Sequence, residues 1–479
     1  MFCRMEPREP SLEELVALVK ELRGRVAELE RRNARLLYDN EQLRRELDAF
    51  KGNKPPSGPP SFVKAALPPR RAKKKPGRPA GHVPALRPPP PEIHQEIDVP
   101  LAGGEGGACL CPHCRGELSD LKGHQRVVED IVPAQVVVTR YRTSSGFCRQ
   151  CRKRVESRHP RQPPAADLPH AQLGLNALAT AAVLKHDAGL PYRKVCRLLQ
   201  DLCGLRVSPG ALPKQMRRVS QWLAEPYQGI KSALRQSPVV HADETGAPVD
   251  GRNQWLWALT SPLHTLFHLD PSRGGKVVLE LLGGKFDGHL VSDFFSAYNT
   301  LPYKQQKCNI HLLREIKQTA QRNPDFAQSP FARRLKRLVK RMLALKKQWD
   351  QLDDATYMRR ACRLHDRLEQ LGKTVWDDRD VNRLAKRISR HADAIAAFLY
   401  EKDLPGENNA AERAIRPAVV IRKISGGHRG ASTAKASAVI TSILRTARQQ
   451  GRHLIDTVKH LVQSHLAGHP TDLLTVPSG

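Results

Sequence analysis

Apolar residues recur in alternating steps of three and four positions between residues 11 and 50. This seven-residue repeat is typical of a helix that packs against a partner helix along one seam. The first row of seam positions is Leu12, Val19, Val26, Asn33, Asn40 and Leu47, and the second row is Leu15, Leu22, Leu29, Leu36, Leu43 and Phe50. Branched residues and Asn in the first row with Leu in the second favour a parallel two-stranded coiled coil. The pattern predicts a leucine zipper over residues 11–50 and hence a homodimer; the alternative is one amphipathic helix packed on its own chain.

The periodicity ends at residue 51. Residues 51–91 contain 13 Pro, ten Lys or Arg and no acid, a composition that cannot bury a core and predicts an extended basic linker. Within this linker a Gly-Arg-Pro core (77–79) resembles an AT-hook, which lies in an A·T minor groove. The candidate DNA-binding residues here are Lys73, Lys74, Lys75 and Arg78. A generic phosphate-binding tether is the alternative.

Two Cys-x-x-Cys pairs follow the linker. They are Cys111 with Cys114 and Cys148 with Cys151. Four thiolates in two such pairs suit a tetrahedral structural Zn²⁺ ion, provided that the 33 residues between them (115–147) form a loop that brings the pairs together. Alternating residues over 134–141 predict a strand in that loop. We therefore predict a zinc-knuckle domain over residues 92–160; two unrelated turns with reduced thiols are the alternative.

Residues 170–222 show the 3.6-residue period of short helices. The pattern predicts helices over Leu175–His186 and Tyr192–Cys203, and a third that begins after Ser208. The third helix carries the candidate DNA-binding residues Lys214, Arg217 and Arg218. This arrangement resembles a helix-turn-helix. A small helical subdomain that leads into the next domain is an equally good interpretation.

Strands dominate from residue 235 onward. The predicted strands are Val239–Asp243, Gln254–Thr260, Thr265–Leu269, His289–Asp293 and Gln306–Ile310, and the predicted helices between and after them are Gly275–Leu282, Ser296–Leu301 and His311–Gln321. Three strands, a helix, a strand, a helix and a strand describe an α/β layer like the RNase H fold. We predict that this domain comprises residues 235–326 and 403–450.

The domain is interrupted by a basic helical segment over residues 327–402. Its cations are concentrated in Arg333, Arg334, Lys336, Arg337, Lys340, Arg341, Lys346 and Lys347. This insertion either contacts DNA backbone or presents a solvated face. A C-terminal helix and tail are predicted over residues 451–479. The predicted fold is therefore multidomain α+β, with a coiled coil, a zinc domain, a helical segment and an RNase H-like catalytic domain.

Three acids stand near the ends of elements in this layer. Asp243 and Asp293 end two strands, and Glu412 lies in a predicted helix with Asn408 and Arg416 four residues away on the same face. Taken singly, these residues read as a helix cap, a turn residue and a helical ion pair. Taken together and in this order on a basic chain, they predict a site for two Mg²⁺ or Mn²⁺ ions that serves phosphodiester chemistry.

Two neighbouring groups complete the candidate site. Arg413 and Arg416 either contact flanking phosphates or pair with nearby acids. Glu244 follows Asp243 directly, so its side chain points to the opposite face of an extended strand and we expect it to have a structural role.

The charge of the chain agrees with a nucleic-acid partner. Its 79 Lys and Arg against 48 Asp and Glu give a net charge of +31 over 479 residues. No apolar run approaches the roughly 20 residues that span a bilayer, and the N-terminus lacks the apolar core of a signal peptide. Ten Cys in a chain of this kind indicate free thiols and a metal site, not a disulfide framework. We expect a soluble intracellular protein without a membrane partner.

In this order the motifs resemble the insertion-sequence-66 transposases, a family of the DDE class. The resemblance rests on the zipper, the Asn53-Lys54-Pro55-Pro56-Ser57 linker, the paired Cys-x-x-Cys motifs, and the segments 241–245, 253–257, 292–293, 308–314 and 408–417. Family members carry Asp directly before the Asn-Asn pair, where this chain has Glu407, and a run of Ser after the Pro pair, which this linker lacks.

The resemblance implies a bacterial, nucleoid-associated enzyme that binds the ends of its DNA element, cleaves them and joins them to target DNA. It implies Asp243, Asp293 and Glu412 as first, second and third acid, and small accessory proteins as further partners. The alternative from another class is a dimeric zinc-containing DNA-binding regulator with an inactive nuclease-like domain. A third interpretation is an RNase H-like nuclease that cuts without joining.

Overall fold

The computed structural model describes residues 173–469 continuously, the stretches 91–97 and 144–157, and scattered positions between 19 and 41 and between 111 and 142. The chain divides into two compact units, Met1–Glu129 and Asp130–Gly479. Within the described residues, no helix is long and apolar enough to cross a membrane.

In the first unit, the described positions between 19 and 41 are helical. Six of them belong to the two predicted seam rows and are exposed: Val19, Val26, Leu29, Asn33, Leu36 and Asn40. The other seam positions and residues 51–90 of the basic linker, including Lys73, Lys74, Lys75 and Arg78, lie outside the described residues. The zipper and its dimer therefore stay predictions.

The second unit begins with a hairpin of two strands, β1 (Ser145–Cys148) and β2 (Lys153–Glu156), which pair antiparallel. The strand predicted over 134–141 was wrong, because these residues have no strand pairing. Val137 and Val138 are 85% and 90% exposed. An extended segment becomes a strand only when a neighbour accepts its backbone hydrogen bonds, and the hairpin instead forms around the turn at residues 149–152.

Four helices follow: α1 (Leu175–His186), α2 (Tyr192–Cys203), α3 (Ala211–Trp222) and α4 (Ala224–Arg235). The first two confirm the predicted bounds. Helix α2 ends at Gly204, which adopts the left-handed conformation (φ 70°) that a glycine tolerates without a Cβ penalty. The hydroxyl of Ser208 accepts a hydrogen bond from the Ala211 N–H and so helps to start α3.

The central sheet has five strands in the order β5-β4-β3-β6-β7. They are β3 (Val239–Gly246), β4 (Trp255–Thr260), β5 (Thr265–Asp270), β6 (His289–Ser292) and β7 (Lys304–Lys307). The first three form an antiparallel meander, and β6 and β7 add in parallel beside β3. Helix α5 (Lys276–Leu282) connects β5 to β6, and a 3₁₀ turn (Ser296–Thr300) connects β6 to β7.

Two predicted elements at this edge were partly wrong. The last strand is Lys304–Lys307 and not 306–310, because Asn309 and Ile310 already belong to the next helix. The segment 296–301 forms only a 3₁₀ turn. Its buried Tyr298 is held under the sheet, and so short a connection leaves no room for a full α-helix.

Five helices lie between the sheet and the third acid. They are α6 (Asn309–Arg322), α7 (Pro324–Gln328), α8 (Pro330–Lys346), α9 (Asp354–Lys373) and α10 (Arg379–Ala396). Ser329, Asp353 and Asp378 accept backbone hydrogen bonds at the starts of α8, α9 and α10, which explains where these helices begin. These helices share a hydrophobic core of their own, which Val239 and Val291 of the sheet join.

Three helices complete the described chain: α11 (Asn409–Ser425), α12 (Ala431–Gln449) and α13 (Leu454–Leu466). Helix α12 covers β5, where its Ser442 hydroxyl accepts a hydrogen bond from the Phe267 N–H at 2.8 Å. Helix α13 packs with α1 in the main core of the sheet and the first helices. The helices from both ends of this unit thus cover the same sheet.

Gly288 offers a test of how β3 and β6 are held together. A Cβ at this position would lie 2.5 Å from the Ser237 carbonyl oxygen and 2.8 Å from that of Pro238, at the start of β3. We expect Gly288→Ala to lower the free energy of unfolding by about 1–3 kcal/mol, measured by urea denaturation, because the backbone must shift. Gly284→Ala is the control, because nothing lies within 4 Å of its Cβ. Equal stability of the two variants would contradict this packing.

Candidate active site

Asp243 and Asp293 lie at the same level of two neighbouring parallel strands. Strand β3 pairs with β6 so that His241 is opposite Val291, and continuing this register by two residues brings Asp243 level with Asp293. Neighbouring strands lie about 4.8 Å apart, so the two carboxylates share one edge of the sheet. Asp293 follows β6 directly, and its Oδ1 accepts a hydrogen bond from the Phe295 N–H at 2.8 Å, which fixes the side chain.

Asn408 attaches the third acid's helix to β3. Its side-chain Nδ2 donates to the Ala242 carbonyl at 2.8 Å, and its Oδ1 lies 3.0 Å from His241 Nδ1. Its backbone N–H donates to the thiol sulfur of Cys308 at 3.1 Å. Asn408 is 1% exposed and directly precedes α11. Because these bonds fix the start of α11 against the strand that carries Asp243, Glu412 in the first turn of α11 is brought to the same edge.

Glu412 is held from the side of α6. Its Oε1 lies 3.4 Å from His311 Nε2, and its Oε2 lies 3.8 Å from Arg314 Nη2. Neither contact completes its bonding, because Oε1 is buried without a hydrogen-bond partner. Such an oxygen is available to a further ligand. Cys308 is fully buried and its sulfur accepts a hydrogen bond from the Asn408 N–H, whereas His311, three residues later, contacts the third acid.

The acids influence one another electrostatically. The pKa of the Asp243 carboxyl is raised to about 7. Burial is the largest cause, and the negative charges of Glu244, Asp293 and Glu412 act in the same direction. A hydrogen bond from the Glu244 N–H lowers this pKa and offsets part of the rise. A carboxyl group that keeps its proton near neutral pH marks a site where negative charge is concentrated. A bound cation would relieve this repulsion.

Glu244 points to the opposite face of β3, as the two-residue period of a strand predicts. The Tyr298 hydroxyl donates to its Oε2 at 2.6 Å, and Arg273 donates to its Oε1 at 2.9 and 3.1 Å. The Arg273 guanidinium lies over the rings of Trp255 and Phe295. The charge of Glu244 is therefore used within the protein, beneath the site.

Lys307 is a member of the site that sequence reasoning missed. It is fully buried at the end of β7, and its Nζ donates to the Ser292 hydroxyl at 3.1 Å and lies 5.5 Å from the Tyr298 ring centre. Burial lowers its pKa to about 8, and Asp293 acts in the opposite direction. A Lys in the strand Lys-Gln-Gln-Lys gives no indication of burial, so only the neighbourhood of β6 shows that it lies beside the second acid.

The candidate DNA-contacting residues of the second unit are at the surface. Arg413 and Arg416 are exposed on α11 beside Glu412. Lys214 and Arg217 are exposed on α3, and Arg217 donates to the Ser432 hydroxyl at 3.4 Å. Arg218 is half-buried on the same helix.

Each cysteine pair lies in a turn in which the sulfur of the first cysteine accepts hydrogen bonds from backbone N–H groups. Hydrogen bonds from the backbone of His113 and Cys114 lower the pKa of Cys111, and those from Cys151 and Gln150 lower the pKa of Cys148. Amide hydrogen bonds to sulfur stabilise the thiolate form that a metal binds. The pairs belong to different units of the chain, Cys111 and Cys114 to the first and Cys148 and Cys151 to the second.

One compact group of metal-ligand atoms lies away from the acids. Among the described residues, His365, Glu369 and Asp393 bring their ligand atoms within 4.8 Å of one another. The atoms of Asp243, Asp293 and Glu412 are spread more widely than that. The candidate active site is thus an open edge with three carboxylates around it.

Comparison with known proteins identifies two segments. Residues 170–436, which include all three acids, match the model of the Transposase IS66 family, and residues 108–152 match the zinc-finger binding domain of transposase IS66. Two relatives come from Sinorhizobium fredii. "Uncharacterized protein y4qI" is 26% identical over 410 residues, which are 74% of this chain and 71% of that protein. "Uncharacterized protein y4jD" is 25% identical over 383 residues, 72% of each.

The transposase match covers more than half of the chain and contains the central sheet, the helical segment and α11. The zinc-finger match contains both Cys-x-x-Cys pairs. On this evidence, the chain belongs to the IS66 family of transposases.

Proposed function

We propose that this transposase cleaves and joins DNA strands through Asp243, Asp293 and Glu412, which act as a DDE site with Mg²⁺ or Mn²⁺. The observation that carries the proposal is the meeting of β3, β6 and α11 at one sheet edge, with one acid from each element. The order of the sheet, a three-stranded meander followed by two parallel strands, is what we expect of an RNase H-like domain and supports the same proposal.

The donor set suits a hard divalent cation. The three candidate ligands offer only carboxylate oxygens, which Mg²⁺ and Mn²⁺ prefer. Glu412 Oε1 is buried and unpartnered, and Asp243 keeps its proton to about pH 7 in the absence of a cation. In sites of this chemistry two ions about 4 Å apart stabilise the attacking and leaving oxygens, and we propose the same number here.

Bound divalent ions would activate the attacking oxygen and stabilise the leaving oxygen of the phosphodiester. The chain's own residues perform the positioning. Asn408 fixes α11 against β3, and His311 and Arg314 hold Glu412 from α6. Arg413 and Arg416 are exposed on the same helix, where they can bind phosphates on either side of the scissile bond. Lys307 supplies a positive charge behind Asp293.

The remaining parts of the chain suit the binding of DNA ends. We propose that Cys111, Cys114, Cys148 and Cys151 hold one structural Zn²⁺ within the zinc-finger segment. Residues 11–50 would form a parallel homodimer that brings two copies of the enzyme together, and the basic linker would follow DNA backbone. Lys214, Arg217 and Arg218 on α3 would add contacts from a helix-turn-helix-like segment over residues 170–222.

Removal of an acid should separate cleavage from binding. Asp293→Ala and Glu412→Gln are each expected to reduce cleavage of a labelled duplex carrying the terminal repeat by more than about a hundredfold. Mutation of a residue that only hydrogen-bonds a metal ligand costs about 10- to 100-fold in activity, and loss of the ligand itself should cost more. Binding of the same duplex in Ca²⁺ should be retained. Glu280→Gln, at an exposed position on α5, is the control. Normal cleavage by Asp293→Ala would refute the site, and binding without any cleavage by the unmodified protein would favour a DNA-binding regulator.

The raised pKa of Asp243 predicts how stability depends on pH. Its pKa is about 7 in the folded protein and 3.8 for a free side chain, so the folded state holds the proton more tightly between these values. Its contribution to stability is complete below about pH 4 and is lost as the pH rises to about 7. In EDTA, the melting temperature of Asp243→Asn relative to the unmodified protein should therefore increase over this range and level off above it.

The matched measurement is made in Mg²⁺, which should remove most of this difference because the cation stabilises the ionised carboxylate. Asp287→Asn serves as the control, since this acid is exposed to solvent and belongs to none of the elements that carry Asp243, Asp293 and Glu412. A melting-temperature difference that does not change with pH would contradict the charge coupling.

The zinc assignment predicts a stoichiometry. The purified protein should release about one Zn²⁺ per chain when its thiols are blocked with a mercurial and the metal is measured with a colorimetric chelator. Cys111→Ser and Cys148→Ser should each abolish this zinc, although the two residues belong to different pairs. Cys203→Ser, which changes a half-buried thiol on α2, should leave it unchanged. Zinc retained in Cys148→Ser would contradict a four-thiolate site.

A further inference from the structure

A cavity of about 690 Å³ opens on the same face of the sheet as the acids. Thr245 lines it, two residues after Asp243 and therefore on the same side of β3. The Arg422 guanidinium reaches across the cavity wall to the Thr245 hydroxyl at 3.3 Å. Helix α11 thus has Glu412 at one end and lines the cavity at the other, about 15 Å further along its axis.

Lys185 is the unusual residue of this cavity. It lies at the end of α1, is only 6% exposed and lines the cavity wall. Its Nζ is 3.4 Å from the Ser425 hydroxyl and 4.9 Å from the centre of the Tyr192 ring. In the described part of the chain, no carboxylate lies within ion-pair distance of this ammonium group. Burial lowers its pKa, and the adjacent His186, with its pKa lowered to about 3 by burial, brings no charge.

A buried ammonium without a counter-charge is costly and suits an anionic ligand. The other charged side chains of the lining are also positive. Arg193, Arg422 and Arg429 also line the cavity, and none of its described lining residues is Asp or Glu. The charged side chains of the described lining are therefore all cationic, which favours an occupant that is negative.

The other walls of the cavity are apolar, so the rest of the ligand should be apolar too. They include Pro191, Pro213, Leu256, Phe267 and Ile421. Cavities of about 300–1,000 Å³ with apolar walls and a few placed polar groups take small organic ligands. An anion with a flat apolar body meets both requirements, and a nucleotide has this chemistry.

We propose that this cavity holds one unpaired nucleotide of a DNA strand that leads to the acids, with its phosphate at Lys185 and its base against the apolar wall. The inference rests on the proposed strand-cleaving function, because the position of the cavity on the α11 face makes it a continuation of that site. Lys185, Tyr192 and Arg422 are then binding residues, away from the reacting phosphate.

The test compares two fluorescein-labelled DNA probes by fluorescence anisotropy in Ca²⁺: a blunt duplex, and the same duplex with a single-stranded 3′ extension. The unmodified protein should bind the extended probe about tenfold or more tightly, as one buried charged hydrogen bond provides. Lys185→Met should lose this preference, and so should Ala418→Phe, which fills the cavity without changing charge. Lys423→Met, which removes an exposed charge from the same helix, should keep it.

A melting experiment separates ligand binding from a structural role. Lys185→Met should melt at the same or a higher temperature, because it removes a buried charge that the protein itself leaves unpaired. Two results would overturn the proposal. One is a lower melting temperature of Lys185→Met together with an unchanged preference of Ala418→Phe for the extended probe. The other is a full preference of Lys185→Met for the extended probe. Displacement of the extended probe by free deoxyadenosine monophosphate at comparable concentration would assign the cavity to a free mononucleotide and overturn the DNA-strand assignment.

The acids provide an independent check. Glu412→Gln should lose cleavage while it keeps the preference for the extended probe. Cleavage retained in Glu412→Gln would refute the proposed function without affecting the cavity measurement, and loss of the preference in this variant would refute the cavity as a separate binding site.

Discussion

The site depends on the hydrogen bonds that Asn408 makes at the junction of β3 and α11. This single side chain contacts Ala242 and His241, the two residues before the first acid, while its backbone N–H contacts Cys308 at the start of α6. Three elements that are distant in sequence, β3, α6 and α11, are therefore joined next to Asp243 and Glu412. A buried amide whose oxygen and nitrogen both have partners is specific for one geometry, because a shift of the helix would leave these polar groups unpaired. The long helical segment between Asp293 and Glu412 can thus be accommodated without displacing the third acid.

Buried charge is used in two different ways on the two faces of β3. Beneath the site, Glu244 is neutralised by Arg273 and Tyr298, so it stabilises the protein without exposing charge. On the other face and within the described residues, Asp243 has no cation within ion-pair distance, Glu412 Oε1 has no hydrogen-bond partner, and Lys185 in the cavity has no carboxylate within ion-pair distance. Groups of this second kind reduce stability until a ligand of opposite charge binds. Their concentration along one face is consistent with the proposed binding of cations and nucleic-acid phosphates at this surface.

The second unit has two large hydrophobic cores that meet at the central sheet. The larger core joins the sheet to helices from both ends of the unit, and the second is formed mainly by α6 to α10. They meet at the sheet, where Val239 and Val291 belong to the second core while Val240 and Leu290 belong to the first. The alternation of side chains along β3 and β6 makes this possible, since each strand presents successive residues to opposite faces. The acids lie at the end of the strands that both cores stabilise.

The sequence by itself determined the elements with strong periodicity and clear caps, among them α1, α2, β4 and β5, and it identified the three acids and four cysteines as candidates. Local rules failed where partners decide: residues 134–141 alternate like a strand but have no neighbour to pair with. The roles of Asn408, Lys307 and Lys185 also required the tertiary structure. An Asn beside another Asn and a Lys within a polar strand or at a helix end carry no local sign of burial. Burial and hydrogen bonding are properties of what long-range packing brings beside a residue, and in this chain those neighbours come from residues 100 or more positions away for Asn408 and 240 away for Lys185.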